Sequence, residues 1–216
     1  MTETTSPEQH AGFAAIIGAP NAGKSTLVNR LTGSKVSIVT QKVQTTRFPV
    51  RGIAIEGNAQ IVLVDTPGIF TPRRRLDRAM VASAWGGAED ADVVVHLIDA
   101  PSHIASEGRD GTAADRKSAE DTETIIANLK ATGTKVILVL NKIDGMRRDT
   151  LLALSHQLFE TGVYSEVFMI SALSGDGVED LKTRLAQAMP EGPWLYPEDQ
   201  SADVPLRVLA AEITRE

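Results

Sequence analysis

The stretch GAPNAGKST, Gly18 to Thr26, lies between the apolar run Phe13–Ile17 and the segment LVNRL, Leu27–Leu31. The first neighbour reads as a buried strand, the second as one face of a helix. A small-residue turn between a strand and a helix lets backbone N–H groups converge on phosphate oxygens at the helix N-terminus. In the spacing Gly18-(x)4-Gly23-Lys24-Ser25, Lys24 would reach the β- and γ-phosphates and the Ser25 hydroxyl would meet Mg²⁺. Asn21, Ala22 and Thr26 complete the loop. A glycine-rich turn without a ligand is the competing reading, and the strand–turn–helix setting argues against it.

Outward from this loop, apolar runs recur at 13–17, 50–55, 61–64, 92–98, 136–140 and 166–170. Segments of helical period separate most of them: 23–32, about 76–88, 122–129, 151–159 and 178–189. This alternation predicts an α/β fold of the P-loop NTPase type. Its sheet is six-stranded and mainly parallel, with helices on both faces. Only Glu56–Gln60 separates the second and third runs, so that pair reads as an antiparallel hairpin. Residues 101–117 are rich in Gly, Asp and Ser and read as a surface loop. Residues 190–205 are Pro-rich and acidic and read as a linker. Beyond it, Leu206, Leu209, Ala210 and Ile213 share a helical face, as at the start of a further domain.

Three more motifs follow strand-like runs. Asp65-Thr66-Pro67-Gly68 puts a carboxylate where it can hold Mg²⁺ and a glycine N–H where it can meet a γ-phosphate. Asn141-Lys142-Ile143-Asp144 offers a carboxylate that accepts from guanine N1–H and the N2 amine. Adenine has no such donor pair. Asn141 can bond the base and tie loops together, and the Lys142 stem can lie along the base. Ser171-Ala172-Leu173 would close the base pocket with its backbone. Singly, each of these is also an ordinary strand end or turn. Together they stand in the order phosphate, metal, base, base, at the strand ends where open α/β sheets bind ligands.

Composition narrows the rest. Hydrophobic residues make up 42% and net charge is −6, so the chain is ordinary for a globular protein and does not hold nucleic acid by overall charge. Cysteine is absent, which removes disulfides, thiolate metal sites and cysteine nucleophiles. No apolar run reaches the ~20 residues that span a bilayer, and MTETTSPEQH lacks the pattern of a secretory signal. A cytoplasmic protein is expected.

The motif set resembles the translation-factor-like GTPases, and within them the Era group. The residues that carry the resemblance are GAPNAGKSTLVN, Gln44-Thr45-Thr46-Arg47, DTPG followed by Ile69, NKID, SALSGDGV, and the tail Tyr196-Pro197-Glu198-Asp199 with AAEITRE. The resemblance implies a disordered lead (1–11), a GTPase domain (12–190), a linker (191–205) and the start of a truncated KH-type RNA-binding domain (206–216). It implies GTP hydrolysis and a role in maturation of the small ribosomal subunit and its rRNA, contacted mainly through the KH domain. Thr46 then joins Ser25 and Asp65 on Mg²⁺, with Thr45 as the alternative, and 33–48 is a switch loop. Lys24, Thr46, Gly68 and Asn21 are the expected catalytic group.

Ile69 stands where Ras-like enzymes carry the glutamine that aligns the attacking water. Slow turnover is therefore expected. In related GTPases an asparagine at the place of Asn21 helps bind K⁺ beside the phosphates, so K⁺-stimulated hydrolysis is expected as well. Two alternatives remain: a nucleotide-dependent binding module that needs an activator, and the GTPase domain of a tRNA-modification enzyme. Arg73-Arg74-Arg75 with Arg78 reads first as a solvated face, with rRNA or peripheral contact to a membrane surface as the other use. His96 reads as a core histidine. Trp194 and Tyr196 read as packing on a domain surface.

Overall fold

A computed structural model of the chain describes residues 8–33, 50–64 and 91–197. The expected helix near 76–88, the switch loop from 34 onward and everything after Pro197 lie outside the described residues, as do Thr45, Thr46, Asp65, Gly68, Ile69 and the arginine cluster.

The strands are β1 (His10–Ile17), β2 (Val50–Glu56), β3 (Ala59–Val64), β4 (Val93–Asp99), β5 (Val136–Asn141) and β6 (Tyr164–Met169). The helices are α1 (Lys24–Leu31), α2 (Ala100–Glu107), α3 (Ala113–Thr132), α4 (Arg148–Phe159) and α5 (Val178–Gln187). Among the described residues the sheet has six strands in the order β2-β3-β1-β4-β5-β6. All neighbours pair in parallel except β2 with β3, which form the expected hairpin. Its turn is only Gly57-Asn58, tighter than the sequence suggested.

Alternation along the central strands divides the core. Ala14, Ile16, Val95, Leu97, Ile137 and Val139 face α1 and α5, which contribute Leu27, Val28, Leu31, Val178, Leu181 and Leu185. Ala15, Ile17, Val94, Ile98, Leu138 and Leu140 face the opposite way. There they meet Ala100, Ile125, Ile126, Leu129, Leu151, Leu154 and Leu158 of α2, α3 and α4. A sheet covered on both faces needs apolar residues at every strand position, which is why these strands read as unbroken apolar runs.

The expectation of a surface loop at 101–117 is wrong. Residues 100–107 form α2, and α3 begins at Ala113. The residues that looked loop-forming are caps. Asp99 closes the start of α2 by accepting from Ser102 N–H (3.0 Å), with Pro101 in the first turn. Thr112 and Asp115 form a capping box at the start of α3.

The segment read as loose from residue 190 onward is docked as far as it is described. Ala11 N–H donates to Pro190 C=O, and Gly192 N–H to Gln9 C=O. The buried amide of Gln60 binds the Tyr196 backbone twice, donating from Nε2 to its carbonyl (2.8 Å) and accepting at Oε1 from its N–H (2.9 Å). Tyr196 packs against Ile53 and Val62, and Trp194 Nε1 donates to Asn58 C=O. Both aromatics pack on the domain surface, as expected.

Candidate functional site

Because β1, β4, β5 and β6 run in parallel, their C-terminal ends share one edge of the sheet. The phosphate-type loop leaves β1 there, Asn141–Asp144 leaves β5, and Ser171–Leu173 leaves β6.

The loop's two glycines are required by shape. Gly18 has φ +157°, and a Cβ there would stand 2.3 Å from the Leu97 carbonyl oxygen. Gly23 has φ +101°, and a Cβ there would stand 2.3 Å from Asn141 Nδ2. Gly23 also precedes α1 without any side-chain cap, so the first N–H groups of the helix stay open to a ligand. Lys24, half-buried, folds back across the loop and donates from Nζ to Gly18 C=O (2.9 Å) and Ala19 C=O (2.8 Å). Ser25 and Thr26 are exposed on the first turn of α1. An uncapped helix start, a tight cradle and a nearby ammonium fit a polyphosphate.

Asn141 joins two of the three loops. Its Nδ2 donates to Ala22 C=O (2.8 Å) and its Oδ1 accepts from Ala172 N–H (2.9 Å). The side chain is buried, so both bonds are made away from water. Ile143 N–H donates to Ile170 C=O (3.3 Å), a second tie between the β5 and β6 loops. Lys142 Nζ donates to Asn21 C=O (2.9 Å) and pairs with Asp99. Asn21 and Lys142 both adopt φ +64°, an uncommon backbone state for residues with a side chain. Asp144 is exposed in the turn after β5.

The β6 loop is self-bonded. Ser171 Oγ accepts from Ser174 N–H, Ser171 C=O from Gly175 N–H, and Ser171 N–H donates to Asp176 C=O. Leu173 is 77% exposed.

The structure thus gathers Gly18, Asn21, Ala22, Gly23, Lys24, Ser25, Thr26, Asn141, Lys142, Asp144, Ser171, Ala172 and Leu173 on one edge. Thr46, Gly68 and Asp65 lie outside the described residues. Two residues at this edge went unread in the sequence. Asp99 carried a signal, an aspartate two residues ahead of a proline at a strand end, which marks a helix cap. Arg30, which bonds Ala172 and Leu173, carried none.

Beside the site, Pro20, Asn21, Asp99, Ser102, Asp115 and Lys142 help line a cleft of about 460 Å³. Hydrogen bonds from Ser102 and Thr112 hold the Asp115 carboxyl down at about 2. Deeper in the fold, His96 is fully buried on β4, shares a hydrogen bond between Nδ1 and the Tyr164 hydroxyl (2.9 Å), and stacks on that ring. Burial, with smaller pushes from Lys24 and His103, takes its imidazole down to about 3. It is the core histidine expected. No group of three or more potential metal-ligating side chains occurs among the described residues. No described helix is long and apolar enough to cross a membrane.

Comparison with known proteins agrees with this fold. The family described as "50S ribosome-binding GTPase" matches residues 13–142. GTPase Era of Caulobacter vibrioides is 69% identical over 216 residues, all of this chain and 68% of that protein. Two solved structures are 40% identical and cover 96% of this chain and 66% of theirs. One is a variant of Aquifex aeolicus Era bound to GDP and AlF4⁻, with a TM-score of 0.70. The other is Era in complex with MgGDPNP and nucleotides 1506–1542 of 16S ribosomal RNA, with a TM-score of 0.71. The chain thus spans about two thirds of the length of these relatives. With the motifs, the six-stranded sheet and these matches in agreement, the chain belongs to the Era family of GTPases.

Proposed function

We propose that this chain binds GTP and GDP with Mg²⁺ and hydrolyses GTP slowly, as the switch of a factor acting in maturation of small-subunit ribosomal RNA. The observation that carries the reading is the tie between loops. Asn141 spans Ala22 and Ala172 while Lys142 holds Asn21. A ligand at this edge meets a phosphate cradle and a base loop at a fixed separation, which suits a nucleotide and disfavours a lone anion.

Gly18, Ala22, Gly23, Lys24, Ser25 and Thr26 hold the phosphates through N–H groups and the Lys24 ammonium. Ser25, Thr46 and Asp65 would hold Mg²⁺, which neutralises phosphate charge when bound. Gly68 N–H would meet the γ-phosphate. Asp144 reads guanine, with Asn141, Lys142 and the backbone of Ser171, Ala172 and Leu173 completing the pocket. Ile69 cannot orient water, so turnover is on the order of 10⁻⁴ to 10⁻² s⁻¹. Asn21, exposed at the crown of the loop, would help hold K⁺, which would supply positive charge to the phosphates.

The family description names the 50S subunit, whereas the Era relative solved with RNA holds 16S rRNA. That relative, 40% identical and matched over 96% of this chain, favours the small subunit. RNA contact would run mainly through the KH-type domain that the tail at 206–216 resembles. We place the protein in the cytoplasm, with any membrane contact peripheral. Ile69 favours one second reading, a binding module whose hydrolysis is negligible without an activator.

The test is GTP hydrolysis with Mg²⁺ in KCl and in NaCl, beside GDP and ATP binding. Tight GDP binding, weak ATP binding and slow turnover that is faster in KCl are expected. Equal rates in the two salts would remove the role of Asn21, and no turnover in either would leave the binding module. Asp144→Asn should weaken GDP by at least about a hundredfold and favour xanthine nucleotides, because guanine then faces an amide in place of its acceptor.

A further inference from the structure

Arg30 sits six residues after Lys24, on the last turn of α1, roughly 9 Å further along the helix axis. Its Nε donates to Ala172 C=O (3.2 Å) and its Nη2 donates to Leu173 C=O. The guanidinium lies against Gly175, where a Cβ would come within 3.5 Å of it. These partners are 142 and 143 residues away in sequence. Successive carbonyls of the β6 loop are thus gripped by one planar fork, whose donors are fixed relative to each other. The same loop is held from its other side, where Ala172 N–H donates to Asn141 Oδ1.

We propose that Arg30 is a positioning residue for guanine recognition, setting the β6 loop from the helix that carries the phosphate-binding lysine. This rests on the nucleotide-site reading above and goes beyond it. A peptide plane is rigid, so fixing the Ala172 carbonyl also fixes the direction of Leu173 N–H. The base pocket is built partly from that backbone. Asn141 alone would hold Ala172 by its N–H and leave the Ala172 carbonyl free to turn, while the Leu173 carbonyl is already steadied through Ser174 N–H, which donates to Ser171 Oγ. Arg30 stops that rotation and makes α1 a common support for both ends of the nucleotide. Lysine at this position keeps the charge and loses the fork.

The experiment compares wild type, Arg30→Met and Arg30→Lys in three measurements: GDP dissociation rate, competition by inorganic tripolyphosphate, and hydrogen exchange of 171–177. For Arg30→Met we expect GDP to leave about tenfold faster, a loss of about 1.4 kcal/mol. Tripolyphosphate affinity should stay within twofold, and exchange across 171–177 should rise. Arg30→Lys should recover only part of the loss. The proposal is overturned if GDP release stays within twofold of wild type. It is also overturned if tripolyphosphate and GDP weaken equally, since Arg30 would then support only α1, or if exchange at 171–177 does not change. Wild type that binds no guanine nucleotide would sink the nucleotide reading instead, while the exchange comparison still tests the tie. Arg30 is exposed, so both variants should fold; Arg30→Lys carries the test if Arg30→Met does not.

Discussion

Under α1 and α5 the sheet's buried face is apolar except for Asn141 at the loop end of β5, and that is the face from which the phosphate loop and Arg30 work. Under α2, α3 and α4 it buries His96, His103, Asp121 and Thr122 as well. His96 Nε2 and His103 Nδ1 have no hydrogen-bond partner among the described residues. The difference shows where each face is sensitive. The first holds its geometry by packing, which responds little to pH. The second contains imidazoles that must stay neutral, so its stability depends on proton activity.

The largest effect should come from pH. The His96 imidazole ordinarily titrates near 6.5, and burial lowers it to about 3 in the fold. The unfolded chain therefore takes up a proton first as pH falls. Stability contributed by neutral His96 is complete above 6.5 and is lost between 6.5 and 3. By linkage the loss is on the order of 5 kcal/mol, and lowering of His103 by burial adds to it in the same direction. Asp115 acts only at lower pH, as the solution falls through its ordinary value near 3.8 towards about 2. Urea melts from pH 7 to 4 should show a steep decline that His96→Gln flattens; an unchanged slope would remove the contrast between the faces.

A smaller effect is expected from Tyr164→Phe. It removes the partner of His96 Nδ1 and leaves a second ring nitrogen unpaired, at about 1–3 kcal/mol. Coupling in a double-mutant cycle with His96→Gln would place the cost in that bond, and simple additivity would deny it. Smallest should be Arg184→Ala on the rim of the apolar face. Arg184 grips Glu166 with Nε at 2.8 and 2.9 Å, but both side chains are about a third exposed. A cost within about 1 kcal/mol that shrinks in high salt is expected. A larger, salt-independent cost would show that this face also relies on charge.

Local pattern explains which features could be read in advance. Buried parallel strands announce themselves as apolar runs, and the hairpin did so through a link too short for a crossover. The loop motifs were legible because phosphate and base chemistry constrain residue type at fixed spacing. Residues 101–117 misled because helix caps use the same Asp, Ser, Thr and Gly that loops use. Only the positions of Asp99, Pro101, Thr112 and Asp115 relative to one another separate the two. The ties from Arg30 to the β6 loop and from Gln60 to Tyr196 could not be read at all. Each joins residues more than a hundred positions apart, and nothing local distinguishes a bonding arginine or glutamine from a solvated one.

The docking of Tyr196 has a mechanical consequence. Gln60 and Asn58 lie where β3 begins, so the chain reaches Pro197 at the edge of the sheet opposite the nucleotide loops. Tension applied at Pro197 is borne first by the two amide bonds of Gln60 and the indole bond of Trp194. The starting ends of β1 and β3 bear it next. The segment acts as strain relief: a tug on whatever follows residue 197 peels this anchor before it can deform the loops that grip the nucleotide.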